Sequence, residues 1–184
     1  VQVISGMALG IDGFSHEGAL KGPTPTYAIL GTGVDICYPR RNGRLYQRIL
    51  ENGGIISEFE PGTIAKPVNF PMRNRIISGI SNCVLVVEAR IKSGSLITAD
   101  FALQENKGVY AIPGRVGDEA SRGCNAVIKR GAMLVNQVSD VINDQNFFPE
   151  MNGEIIKKSK IVLETMEKIV YANLRCEARY IDDI

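Results

Sequence analysis

The sequence predicts an α/β protein: a doubly wound, mostly parallel, Rossmann-like sheet with a short helical appendage at its C-terminal end. Three observations predict it. Short runs rich in β-branched residues alternate with helix-length amphipathic stretches throughout residues 1–144, and that order requires parallel strands joined by crossover helices. The run Cys83-Val84-Leu85-Val86-Val87 is apolar without alternation, as in a strand covered on both faces. Composition agrees: in 184 residues, 45% hydrophobic and 22% charged is globular and argues against disorder.

The elements follow in order. Residues 1–5 read as a strand, and 12–21 as a helix stopped by Gly22-Pro23. A second strand covers 27–30. The helix over 43–51 carries Leu45, Ile49 and Leu50 on one face and ends at Asn52-Gly53. A third strand covers 54–57. The helix over 71–79 starts on Pro71, whose fixed φ suits a first turn. A strand over 83–88 leads to a helix over 95–106, closed by Lys107-Gly108. Strands over 109–112 and 132–135 and short helices over 123–129 and 138–143 complete the pattern. A single sheet of about six strands is expected.

Domain organisation reads as residues 1–145 for the α/β domain, 146–153 for a linker containing Pro149 and Gly153, and 154–184 for the front of a small helical domain. Over 154–174, Val162, Met166, Ile169, Val170 and Leu174 share one helical face. Both ends look cut. No run approaches the roughly 20 apolar residues of a membrane span, and the opening residues lack the basic stretch of a signal peptide, so a cytoplasmic location is expected. Net charge is +1, so any case for a polyanion rests on local patches. The four cysteines, Cys37, Cys83, Cys124 and Cys176, form no CxxC pair, which disfavours a zinc site; no metal is expected.

Ligands of open parallel sheets bind beyond the carboxyl ends of the strands. Four loops fall there. Ser5-Gly6-Met7-Ala8-Leu9-Gly10 follows a strand and opens a helix, so Ser5, Gly6 and Gly10 are candidates for a phosphate loop as well as for a tight turn. It is not GxGxxG, and no acidic residue closes the second strand, which disfavours a nicotinamide cofactor; none is expected. Phe70-Pro71-Met72-Arg73-Asn74-Arg75 combines an aromatic ring with cations that grip phosphates and stack a base, or else forms a helix start with a hydrophobic staple. Ser93, Gly94, Ser95 and Thr98 either hold a phosphate or cap a helix. Glu88 lies at a strand end without a sequence-placed partner, and Cys124, at a helix start, is read as structural. Arg40 and Arg41, with Arg73 and Arg75, concentrate positive charge on this edge. His16 is read as a packed residue.

Together these segments resemble one family, DNA-processing protein A (DprA/Smf). The stretches are SGMALGID at 5–12, YPRRNGRLY at 38–46, SEFEPGT at 57–63, NFPMRNRIISGIS at 69–81, VVEARIKSGSLITA at 86–99 and IPGRVGDEASRGCNAVIKRGAMLV at 112–135. The resemblance implies an extended Rossmann-like domain that binds single-stranded DNA, works as a homodimer, and protects and hands incoming strands to the recombinase RecA in natural transformation. It implies that 154–184 begins a winged-helix-like domain, and no catalysis. It assigns Phe70, Arg73 and Asn74 to the single-strand pocket; the concentration of charge on the same edge adds Arg75, Arg40 and Arg41 as candidate nucleic-acid contacts. The family's basic residue three before the Phe is Pro67 here, with Lys66 adjacent; a further arginine, of a Gly-Ser-Arg loop, is expected upstream of Val1. The alternative is a nucleotide enzyme of the phosphoribohydrolase (lysine-decarboxylase-like) type, which shares the fold class. Its PGGxGTxxE signature is replaced here by SGSLITAD.

Overall fold

The computed structural model describes residues 1–144. The linker over 146–153 and the winged-helix start expected over 154–184, with its helix over 154–174, lie outside the described residues.

Strands and helices alternate as the sequence predicts. They run β1 (Val3–Ser5), α1 (Ile11–Ala19), β2 (Thr26–Ile29), α2 (Gly43–Glu51), β3 (Gly53–Ile56), α3 (Asn69–Ile80), β4 (Cys83–Val86), α4 (Gly94–Gln104), β5 (Gly108–Ala111), α5 (Glu119–Lys129), β6 (Met133–Leu134) and α6 (Ser139–Ile142). A 3-10 turn over Arg40–Asn42 precedes α2. Every strand pairing is parallel.

The expected single sheet is corrected. The strands form two three-stranded sheets, ordered β1-β2-β3 and β4-β5-β6. Among the described residues neither β1 nor β4 pairs on its second edge, and residues of both line one cleft of about 2050 Å³. The apolar run of β4 is also not covered evenly: Val86 is 2% exposed, but Leu85 is 42% exposed.

Each sheet has its own core. Leu45, Tyr46 and Ile49 of α2 pack on Met7, Ala28 and Leu30. Ala99 and Ala102 of α4, with Cys124 and Val127 of α5, pack on Val86, Val109 and Ala111. Small residues allow close approach. A Cβ on Gly53 would lie 1.8 Å from the Thr26 carbonyl oxygen, so β3 abuts β2 only without a side chain there. Helix α5 starts four residues earlier than expected, because the Asp118 carboxylate accepts the Ala120 N–H at 3.1 Å and caps it. The α4 helix is capped in the same way by Ser93, whose Oγ accepts the Ser95 N–H.

Candidate nucleic-acid interface

The carboxyl ends of β1 and β2 are organised by the first turns of α3. Asn69 and Arg73 are four residues apart and share a helix face. Both point inward. Asn69 is 5% exposed and its Nδ2 donates to the Gly31 carbonyl at 2.9 Å. Arg73 is also 5% exposed; its Nη1 donates to the Gly6 carbonyl at 2.9 Å and to the Ile29 carbonyl. These are the acceptors left over where β1 and β2 end. Burial lowers the Arg73 pKa, opposed by the Asp12 carboxylate, and Nε is buried without a partner among the described residues. Asn74, also buried, donates from Nδ2 to the Gly94 carbonyl at 3.1 Å, tying α3 to the start of α4.

Arg73, expected as a phosphate contact, has its Nη1 turned into the fold and bonded to backbone carbonyls. Asn74 is likewise a buried tie between helices. The sequence could not reveal this, since a polar residue every fourth position fits an exposed face as well as a bonded inner one.

Phe70 is half-buried, on the rim. Its ring packs over Gly31, where an added Cβ would sit 2.9 Å from the Phe70 Cδ1. The Arg73 guanidinium carbon lies 5.9 Å from the ring centroid, a cation–π distance. Tyr38 stands beside it, ring centroids 5.4 Å apart. Tyr38 was not among the expected contacts, although an aromatic just before Pro39-Arg40-Arg41 was a readable signal.

Exposed cations of this edge include Arg40 and Arg41 on the 3-10 turn and Lys66 on the loop after β3. Arg75 is exposed on α3 and pairs with Glu58. In the first expected phosphate loop the amides have a partner from the chain itself. The Gly6 and Ala8 N–H groups both donate to the Asp12 Oδ2, at 2.9 and 3.3 Å. A carboxylate from the chain itself occupies the place a phosphate would take. Ser5 and Gly10 flank that turn, and Gly10 has φ 87°, a left-handed conformation that glycine adopts freely. Asn42 clamps the same loop, donating from Nδ2 to the Met7 carbonyl at 2.8 Å. Of the second set, Ser93 is the cap of α4 and its Oγ lies 2.7 Å from that of Ser95; Thr98 is buried.

His16 is fully buried, with Nδ1 2.7 Å from the Thr26 Oγ1. Burial lowers its pKa from 6.5 to about 4, with the Asp12 carboxylate opposing and Arg73 adding to the shift. Cys124 is buried 3.7 Å from the Val86 carbonyl, and burial raises its pKa, so the thiol is a packed group rather than a nucleophile. Among the described residues no three His, Cys, Asp or Glu side chains gather closely enough to hold a metal ion. No helix among them is long and apolar enough to cross a membrane.

Fold and site define a parallel α/β domain whose strand ends present an aromatic ring backed by a cation, with exposed cations on the neighbouring loops. The chain belongs to the family described as DNA recombination-mediator protein A, which matches residues 1–146. It is 45% identical over 148 residues to protein Smf of Escherichia coli, covering 80% of this chain and 40% of the relative. It is 43% identical over 145 residues to DNA processing protein DprA of Streptococcus pneumoniae, covering 79% and 51%. The crystal structure of that pneumococcal protein superposes with a TM-score of 0.74 at 42% identity, over 78% of this chain and 51% of the other. A structure of DNA processing protein A from Helicobacter pylori, described for its single-stranded DNA binding mode, gives a TM-score of 0.70 at 32% identity, over 76% and 63%. The chain spans about half the length of these first relatives.

Proposed function

We propose that this chain binds single-stranded DNA across the loop edge at the carboxyl ends of its strands. The observation that carries the reading is Phe70: a rim ring seated on Gly31, with a guanidinium 5.9 Å from its centroid. Such a ring offers a stacking face to any base. Arg40, Arg41 and Lys66 meet the phosphates, and Arg75 joins them by exchanging Glu58 for a phosphate oxygen. Arg73 and Asn74 hold the platform from beneath. Ser93, Gly94, Ser95 and Thr98 border the path of the strand. The Helicobacter relative described as binding single-stranded DNA supports the same ligand class here.

Family membership supports a wider role. The complete protein protects incoming strands and passes them to the recombinase RecA during natural transformation. It does so in the cytoplasm, as a homodimer, without a cofactor and without chemistry of its own. Exposed Met133 and Leu134 of β6 together with Val138 beside α6 support a dimer face near residues 132–143.

Fluorescence anisotropy with labelled oligo-dT, the matching duplex and AMP tests the reading. Oligo-dT is expected to bind well ahead of duplex, whose bases are stacked away from Phe70. Equal affinity for duplex, or release of adenine from AMP, overturns it.

A further inference from the structure

We propose that Tyr38 is a second stacking residue, so that the edge seats two successive bases, one on Phe70 and one on Tyr38. The proposal rests on the single-strand reading above and extends it to a residue that the reading does not use. Tyr38 is 45% exposed, a large aromatic ring left half in water on the rim of the cleft. Its hydroxyl makes no hydrogen bond among the described residues, so no polar partner explains its place. Its ring centroid is 5.4 Å from that of Phe70 and the ring planes are inclined at 32°. Rings at that spacing and tilt touch, yet they do not cover one another as parallel stacked rings do. Each keeps face area for a different base.

The surroundings fit an unstacked strand. Two inclined platforms require neighbouring bases to splay, which a flexible single strand does at low cost and a stacked duplex does not. Arg40 and Arg41 follow Tyr38 by two and three residues on an exposed 3-10 turn. A base on Tyr38 therefore brings its own phosphate to cations, as the base on Phe70 does. The two rings arise from different elements, Tyr38 from the loop after β2 and Phe70 from the first turn of α3, so they are independent positions.

The test separates stacking from simple support of Phe70. The probes are labelled oligo-dT and oligo-dT in which single thymines are replaced one at a time by abasic sites. In the native protein two adjacent abasic replacements are expected to weaken binding most. Tyr38→Leu keeps apolar bulk and removes the π-face; it is expected to weaken oligo-dT about tenfold with an unchanged salt slope. In that variant one of the two abasic penalties disappears and the other remains. Tyr38→Phe is expected to bind as the native protein does. The idea is overturned if Tyr38→Leu binds oligo-dT normally while Phe70→Leu does not. It is also overturned if both abasic penalties vanish together in Tyr38→Leu, because Tyr38 then only props Phe70. Failure of the native protein to bind oligo-dT at all removes the single-strand reading itself, and this proposal with it.

Discussion

Arg73→Ala is expected to be a stability variant before it is a binding variant. The side chain is 5% exposed and its Nη1 serves the carbonyls of Gly6 and Ile29. Removing it leaves two buried acceptors unpaired, at about 1–3 kcal/mol each, for a total loss of about 2–6 kcal/mol. Urea unfolding read by circular dichroism measures it, with the loss appearing in the midpoint and not in the slope. Gly6→Ala approaches the same bond from the other side. Its Cβ would lie 2.1 Å from the Arg73 Nη2, so the guanidinium must move away from its acceptors. The two variants should be less than additive, because they break one arrangement. A phosphate contact behaves differently. It would leave stability within about 0.5 kcal/mol of the native value, and its loss would flatten the slope of log K against log salt by about 0.7. That pair of results for Arg73→Ala would refute the buried role and return the residue to the DNA-contacting surface.

Three further outcomes are expected. Stability should fall as pH drops from 6.5 towards 4, because buried neutral His16 resists a proton that the unfolded chain accepts in that window; the full effect is about 3 kcal/mol, and urea titrations of His16→Gln should show a shallower dependence. Gly31→Ala should weaken oligo-dT binding several-fold at an unchanged salt slope, since the new Cβ would meet the Phe70 ring at 2.9 Å and displace it; native affinity would show that the seat of the ring is not what counts. Replacing Arg40 and Arg41 together by alanine should flatten the salt slope by up to about 1.4, at about 0.7 per phosphate contact, while leaving the urea midpoint unmoved, because both side chains are exposed and bonded to no buried group among the described residues.

The succession of elements was legible because β-branched runs, glycine stops and helical periodicity all agree along residues 1–144. Helix α2 spans 43–51, as Leu45, Ile49 and the Asn52-Gly53 stop predict. What was hidden is long-range. Cys83-Val84-Leu85-Val86-Val87 reads as an interior strand, and periodicity reports only the character of its faces. Whether another strand lies alongside depends on chain far away in sequence, and among the described residues β4 pairs on one edge only. Asp12 taking the amides of Gly6 and Ala8 was equally hidden. A carboxylate six residues after a glycine-rich turn is compatible with a helix cap, a solvated charge or a built-in anion.

Helix α3 shows why site residues are harder to read than folds. Its opening stretch, Asn69 to Arg75, mixes an aromatic with amides and cations, and every one of those types occurs at nucleic-acid surfaces. The backbone sorts them. Asn69 and Arg73 share the inner face and satisfy the strand-end carbonyls, Asn74 reaches α4, and Phe70 and Arg75 remain at the rim. Loss of DNA binding on mutating this stretch would therefore mean two different things. At Phe70 it would report a lost contact; at Asn69, Arg73 or Asn74 it would report a lost platform, accompanied by lower stability. The urea midpoint measured beside each binding curve separates the two, and it makes the division of α3 into a contacting face and a supporting face a statement that one alanine series can overturn.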